Sequence, residues 1–271
     1  IGSYAGSGTL TIQNSGRVNV TSTTAIGGGG GGNVFGGRLS GGGGTVGGRL
    51  YIGEFGQVMF SQNLANQSAG EIDNAGGLLD VEGTLSNLGG IISGHGQFDA
   101  EGGWQNTGSI VLRDVALLTG EFTNAAGGVV RTEGGATTQF AHDVIHNGAE
   151  IYTDLGSMTE ILGTASGSGS YTGEGTVLFA GGLDPGNSPA AVSFAGDVVL
   201  GTTSTTQIEL GGVSAGEQHD QLGVAGTANL DGTLNLLPLA PYTDPATRGT
   251  ADDFVIITAA ERSGTFSTVQ Y

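Results

Sequence analysis

The chain has 271 residues, 56 of them glycine, with no cysteine and no lysine, and its 7 arginines face 25 acidic residues for a formal net charge of −18. That balance argues against nucleic acid and anionic membranes, which both want basic patches; the missing cysteines exclude a disulfide framework or thiolate metal site, and the absence of a Gly-X-Y period excludes collagen. A charged fraction of 12% is too low for disorder by self-repulsion, 37% hydrophobic residues suffice for a narrow core, and no stretch is apolar and long enough to span a bilayer as a helix.

Residues 1–20 read as strands. Thr9-Leu10-Thr11-Ile12, a turn at Asn14-Ser15-Gly16 and Arg17-Val18-Asn19-Val20 alternate with period two, as one buried face requires. The opening Ile1-Gly2-Ser3-Tyr4 matches Ile52-Gly53-Glu54-Phe55, 51 residues on, but lacks the lead-in Arg49-Leu50-Tyr51. The chain therefore reads as beginning in mid-coil. It starts at Ile1 without Met or a signal peptide, which suggests a processed piece, or a neighbouring molecule completing the coil. Residues 27–48 hold six consecutive glycines (Gly27 to Gly32) and four more (Gly41 to Gly44). With no Lys and no helical pattern they are not a phosphate-cradling loop, and the least regular structure is expected there. Residues 61–70 read as a polar connector. Asn66-Gln67-Ser68 and Asn19-Val20-Thr21 match the glycosylation triplet, which is short enough to match by chance.

From Glu71 to Gly156 one phrase recurs five times: apolar, any residue, Asn, then Gly within four positions, then apolar again. The instances end at Asn74, Asn87, Asn106, Asn124 and Asn147, spaced by 13, 19, 18 and 23 residues. The segments between, such as Gly77 to Glu82 and Ser109 to Arg113, are rich in Val, Ile and Leu and too short for helices. Asn and Gly both tolerate the positive φ of a sharp corner. One such coil cannot bury its own apolar side chains; stacking coils at ~4.8 Å buries them in a column and pairs each backbone with the next. The five asparagines are expected at structural corners, where stacked copies can form an amide ladder. The fold predicted is all-β, a β-solenoid (parallel β-helix) of stacked coils.

Met158 to Leu162, Ser170 to Thr172 and Thr176 to Phe179 continue the coils. Leu183-Asp184-Pro185-Gly186-Asn187-Ser188-Pro189 is the densest turn signal and places a seam near residue 183. Beyond it the strands lengthen, and a wider antiparallel or mixed β-rich cap subdomain is expected, with a loop from Ala240 to Asp252 carrying Pro241, Tyr242 and Pro245. The organisation predicted is 1–60 (coils with glycine-rich loops), 61–182 (Asn/Gly-cornered solenoid) and 183–271 (C-terminal cap).

The succession Leu183 to Pro189, Ile208-Glu209-Leu210-Gly211-Gly212, His219 to Ala228, Asp231 to Leu236 and Phe254 to Ala259 resembles the C-terminal passenger region of autotransporter-like and anchor-sorted bacterial surface proteins. Gly8 to Ile12 and Leu50 to Gly53 look like the strand repeats of the same group, so the resemblance covers nearly the whole chain. It departs at His219, where the group more often carries Tyr. The resemblance implies export and a β-solenoid. It implies no particular activity, since the group holds adhesins and matrix proteins alike.

Parallel β-helices also host polysaccharide lyases and hydrolases, which need focused carboxylates with Arg or Lys and often Ca²⁺. Here Asp73, Asp80, Glu82, Asp99 and Glu101, with Arg113 and Arg131, read as spread around the coil: a solvated acidic face. His142 and His146 are four apart, which converges on a helix and not on strands. Asp184 and Asp220 flank turns that would suit Ca²⁺, yet neither forms the Asp-x-Asp-x-Asp-Gly loop, so no metal-ligand set and no cofactor is read. Trp104 and the other aromatics read as core. The function expected is a non-catalytic extracellular structural or adhesive subunit of the bacterial cell surface, a homo-oligomer or end-to-end filament, with surface polysaccharide as the partner to consider. The alternative is a carbohydrate-active (lyase- or hydrolase-like) or carbohydrate-binding β-helix.

Overall fold

The computed structural model describes residues 9–19, 23–26, 31–186, 189–240, 242–243 and 252–271. The expected coil start at Ile1 to Tyr4 lies outside them, as does most of the loop from Ala240 to Asp252. Every helix or strand among the described residues is a strand. They wind as a parallel β-solenoid, paired coil to coil in one sheet of 18 strands and one of 12. A single coil shows why there are three faces. Arg49–Ile52, Gln57–Phe60 and Leu64–Asn66 are legs of three or four residues separated by corners. In the next coil Glu71–Val81 pairs at its start with the first leg and at its end with the second, bending between Ala75 and Leu78, and Leu85–Asn87 pairs with the third. The large sheet thus supplies two faces and the smaller sheet the third.

Period-two alternation points every second side chain inward, and the parallel register stacks equivalent positions. Leu50, Ile72, Ile92, Ile110, Val130 and Ile151 are partners in consecutive coils, and all are fully buried. A second column runs from Val58 through Leu79, Phe98, Leu118, Phe140 and Ile161 to Phe179. Where the faces meet inside, Phe98, Trp104, Phe122 and Phe140 form a chain of ring contacts with centroids 4.8–6.5 Å apart. Such pairs contribute roughly 0.5–1.5 kcal/mol each beyond area burial. Trp104 is core, as expected, and its indole N–H donates to the Thr119 carbonyl at 2.8 Å.

Three sequence expectations are corrected. The described part of the glycine-rich tract is regular, forming Gly31–Phe35, Arg38–Gly41 and Gly43–Val46. Glycine is required there by crowding: a Cβ on Gly41 would lie 2.6 Å from the Thr24 hydroxyl and 3.4 Å from the Phe60 ring, and one on Gly44 2.5 Å from the Thr24 carbonyl. The neighbouring coil's large side chain fills the space that these residues leave. Residues 61–70 are no mere connector, because Leu64 and Asn66 are fully buried on the third face. The C-terminal third is β-rich, but its strands pair in parallel with the coils before them rather than as an antiparallel or mixed array. Gly182–Pro185 pairs with Thr164–Gly167 on one side and with the strand Thr205–Leu210 on the other, and the stack runs on to Thr268–Gln270. Antiparallel pairing among the described residues is limited to the isolated bridges Gly167 to Gly186 and Leu210 to His219.

Candidate functional site

The side chains with most chemistry inside the solenoid are its amides. On the third face Asn66, Asn87, Asn106, Asn124 and His146 are register partners in successive coils and all are fully buried. Each side-chain NH₂ donates to the next rung's oxygen: Asn66 to Asn87 at 2.9 Å, Asn87 to Asn106 at 2.9 Å and Asn106 to Asn124 at 2.8 Å. The second N–H donates to the carbonyl that opens the following face, that of Ile91, Ser109, Val129 or Glu150. Of the predicted corner residues, Asn87, Asn106 and Asn124 are therefore rungs. Asn74 stands at a different corner, where it donates to the Gly77 and Gln97 carbonyls and accepts the Gly77 N–H.

Asn147 is adjacent to the ladder, and the rung belongs to His146. The true phrase there is Val144-Ile145-His146, one residue earlier than the Asn suggests, and such a slip exchanges inside for outside. His146 imitates an asparagine. Its Nδ1 lies 3.4 Å from the Asn124 amide nitrogen and its Nε2 lies 3.0 Å from the Ser170 carbonyl. Those partners assign the neutral form protonated on Nε2, with Nδ1 accepting. Burial holds this imidazole below the ordinary histidine range, with the Ser170 bond acting the other way. Asn66 was missed, although Leu64-Ala65-Asn66 with Gly70 carries the same phrase. As a buried rung, Asn66 is closed to glycosylation in the folded chain.

The acidic candidates are less dispersed than their sequence positions suggest. Asp80 and Asp99 are register partners. The Asp80 carboxyl is pushed above the usual range, first by partial burial and then by Asp99, Glu101 and Glu82, with Arg38 opposing. Asp73 lies apart and pairs with Arg49 at 2.8 Å. Neither of the arginines predicted nearby joins the cluster: Arg113 and Arg131 both pair with Glu133, and Arg131 also lies over the Tyr152 ring at 4.2 Å. His142 is exposed and accepts the Gly120 N–H, so it does not converge with His146. Asp220 is fully buried and accepts the Ala190 and Glu209 N–H groups at 2.7 Å each, while Asp184 accepts from Gln207. Among the described residues no group of three or more His, Asp or Glu side chains is placed to hold a metal ion.

The remaining feature lies outside, on the corner between the first two faces. Gly36, Phe55, Gly76, Gly96 and Asp114 take left-handed φ there. The glycines leave a cleft of about 450 Å³ bordered by Phe55, Val115 and the outward column Gln57, Leu78, Gln97 and Leu117. A second cleft of about 250 Å³, with Ser15, Arg17 and Arg38 on its walls, shares Phe55 and Gln57 with the first. Phe55 is the aromatic that departs from the core expectation, being 76% exposed at φ 59°. Counting back from the Arg38–Gln57 and Gln57–Leu78 pairs, its equivalents in the adjoining coils are Gly36 and Gly76. A side chain at such a φ costs roughly 1–2 kcal/mol, and burial of the ring does not offset it.

No known family model matches this chain, and no curated protein matches its sequence significantly.

Proposed function

We propose that the chain is a non-catalytic structural and adhesive rod outside a bacterial cell, a surface, matrix or fibre subunit that assembles end to end. The observation that carries this reading is the use of the buried polar groups: the rungs from Asn87 to His146, and Asp220, are engaged by neighbouring amides and backbone, and Asn66 at the start of the ladder donates both N–H groups while its Oδ1 has no partner among the described residues. Such a column lengthens by adding coils without altering those already present. Each coil offers the next a complete parallel edge, and one copy can offer the same edge to another as a heterologous contact. The extracellular placement draws on the passenger-like segments from Leu183 to Ala259 and on the acidic, cysteine-free composition.

Two measurements test the reading. Electron microscopy and light scattering of native extracellular material should find rods or fibres whose length grows with concentration; monomers alone at high concentration would remove the assembly. A screen against neutral and acidic polysaccharides, with and without Ca²⁺, should find no turnover. The corner clefts favour one second reading, polysaccharide binding without cleavage.

A further inference from the structure

The clefts of Phe55 form one groove. It crosses the coils from Ser15 to Leu117, five inter-coil steps or about 24 Å at the usual strand spacing. Its two ends differ in charge. Residues bordering the larger cleft are all uncharged, in a chain of net charge −18. At the other end Arg17 and Arg38 are register partners, so two of the chain's 7 cations are stacked on adjacent coils. Among the described residues neither forms an ion pair, those found belonging to Arg49, Arg113 and Arg131, although Arg38 does feel the Asp80 carboxylate at longer range. The Nε of Arg38 is buried and has no acceptor. Two like charges side by side repel, and an anion bound across the outer guanidinium nitrogens relieves that repulsion. Phe55 adds an exposed ring held at a strained φ where the adjoining coils use glycine, the kind of outlier that points to a function.

We propose that this groove binds an acidic glycan. Arg17 and Arg38 hold its carboxylate or sulfate, a sugar ring lies against Phe55, and hydroxyls meet the amides of Gln57 and Gln97. The two amides stand two coils apart, about 9.6 Å, which is the scale of a disaccharide step. An acidic peptide fits less well. The strands beneath the groove are already paired on both sides, leaving no free edge for an added strand, so recognition falls to rings and side-chain amides. The proposal rests on the non-catalytic adhesive reading above and supplies its ligand class.

The test is calorimetric titration of the full chain with four probes: a galacturonate tetrasaccharide, a heparin-derived tetrasaccharide, cellotetraose and a poly-glutamate peptide. The expected result is saturable 1:1 binding of a galacturonate or heparin fragment, weakened by salt, with the better of the two telling carboxylate from sulfate. Arg17→Gln and Arg38→Gln should each weaken it about tenfold, one charge-assisted bond's worth. Phe55→Gly should weaken binding at least about fivefold and raise the unfolding midpoint, because glycine relaxes the strained φ; a merely structural Phe55 would not lose binding while gaining stability. The proposal is overturned if neither acidic fragment binds, if cellotetraose or poly-glutamate binds as tightly, or if the three variants bind like the parent. Absent binding in a chain that still forms rods removes the groove alone. Cleavage of the bound fragment removes the non-catalytic reading and leaves the groove standing.

Discussion

Asn106 is the middle rung of the amide ladder, and Asn106→Ala tests what the ladder contributes. The substitution takes away the 2.9 Å acceptor of the Asn87 NH₂, which keeps its bond to Ser109. Asn124 Oδ1 loses its 2.8 Å donor, and the Gly108 N–H loses an acceptor at 3.2 Å. Three buried groups lose a partner, the Asn87 amide only one of its two bonds; at roughly 1–3 kcal/mol for each stranded group, together with a small cavity, the expected loss is at least about 3–5 kcal/mol. Asn63→Ala is the control. Asn63 accepts one N–H, from Thr84 at 3.0 Å, at an exposed corner, and its loss should cost under about 1 kcal/mol. Asn106→Asp separates shape from hydrogen bonding. At neutral pH a carboxylate accepts only, so it would face Asn124 Oδ1 acceptor to acceptor. The folded chain would hold that carboxyl above its unfolded range; the variant should therefore be nearest wild type below the unfolded pKa and lose stability as pH rises through the folded one. Urea unfolding, with hydrogen exchange read over Leu85–Asn87 and Phe122–Asn124, measures all three. A loss below about 1 kcal/mol for Asn106→Ala, or an Asn106→Asp penalty that ignores pH, would refute the ladder as a stabilising element.

The histidine rung should make the wild type sensitive to acid. The unfolded imidazole takes a proton near pH 6.5 and the buried His146 only at lower pH, so its contribution is complete above that point and falls as pH drops toward the folded value. His146→Asn keeps a rung and should flatten this part of the pH–stability curve between neutral and mildly acidic buffer; an unchanged slope assigns the acid sensitivity elsewhere. Phe122→Ala removes the ring between Trp104 and Phe140 and should cost about 3–5 kcal/mol by denaturant titration, whereas a cost below about 1 kcal/mol would mean that the column collapses freely around the gap. Asp220→Ala orphans the Ala190 and Glu209 N–H groups and should cost about 2–4 kcal/mol, with Asp220→Asn recovering part of it. Equal losses in both variants would show that something other than those acceptors stabilises the turn.

The solenoid was legible because its local chemistry repeats. Short Val/Ile/Leu segments, punctuated by residues that tolerate positive φ, admit one economical packing. Asn87, Asn106 and Asn124 follow directly from the phrase. The failures came where crowding or register depended on another coil. Gly41 and Gly44 look like flexible linker residues until Thr24 and Phe60 are placed beside them. Leu64-Ala65-Asn66 looked like a connector because polar residues surround it. Phe55 looked like core because nothing local says which way a corner residue points.

By itself the sequence determined the class of fold, the period-two alternation within its strands and the identity of most rungs, since these depend on neighbours along the chain. Only the tertiary structure decided that His146 and not Asn147 completes the ladder, that Asp80 meets Asp99, and that Arg17 lies beside Arg38. The physical reason is register. Coils differ in length, partners lie about 20 residues apart, and a shift of one residue turns an inward side chain outward.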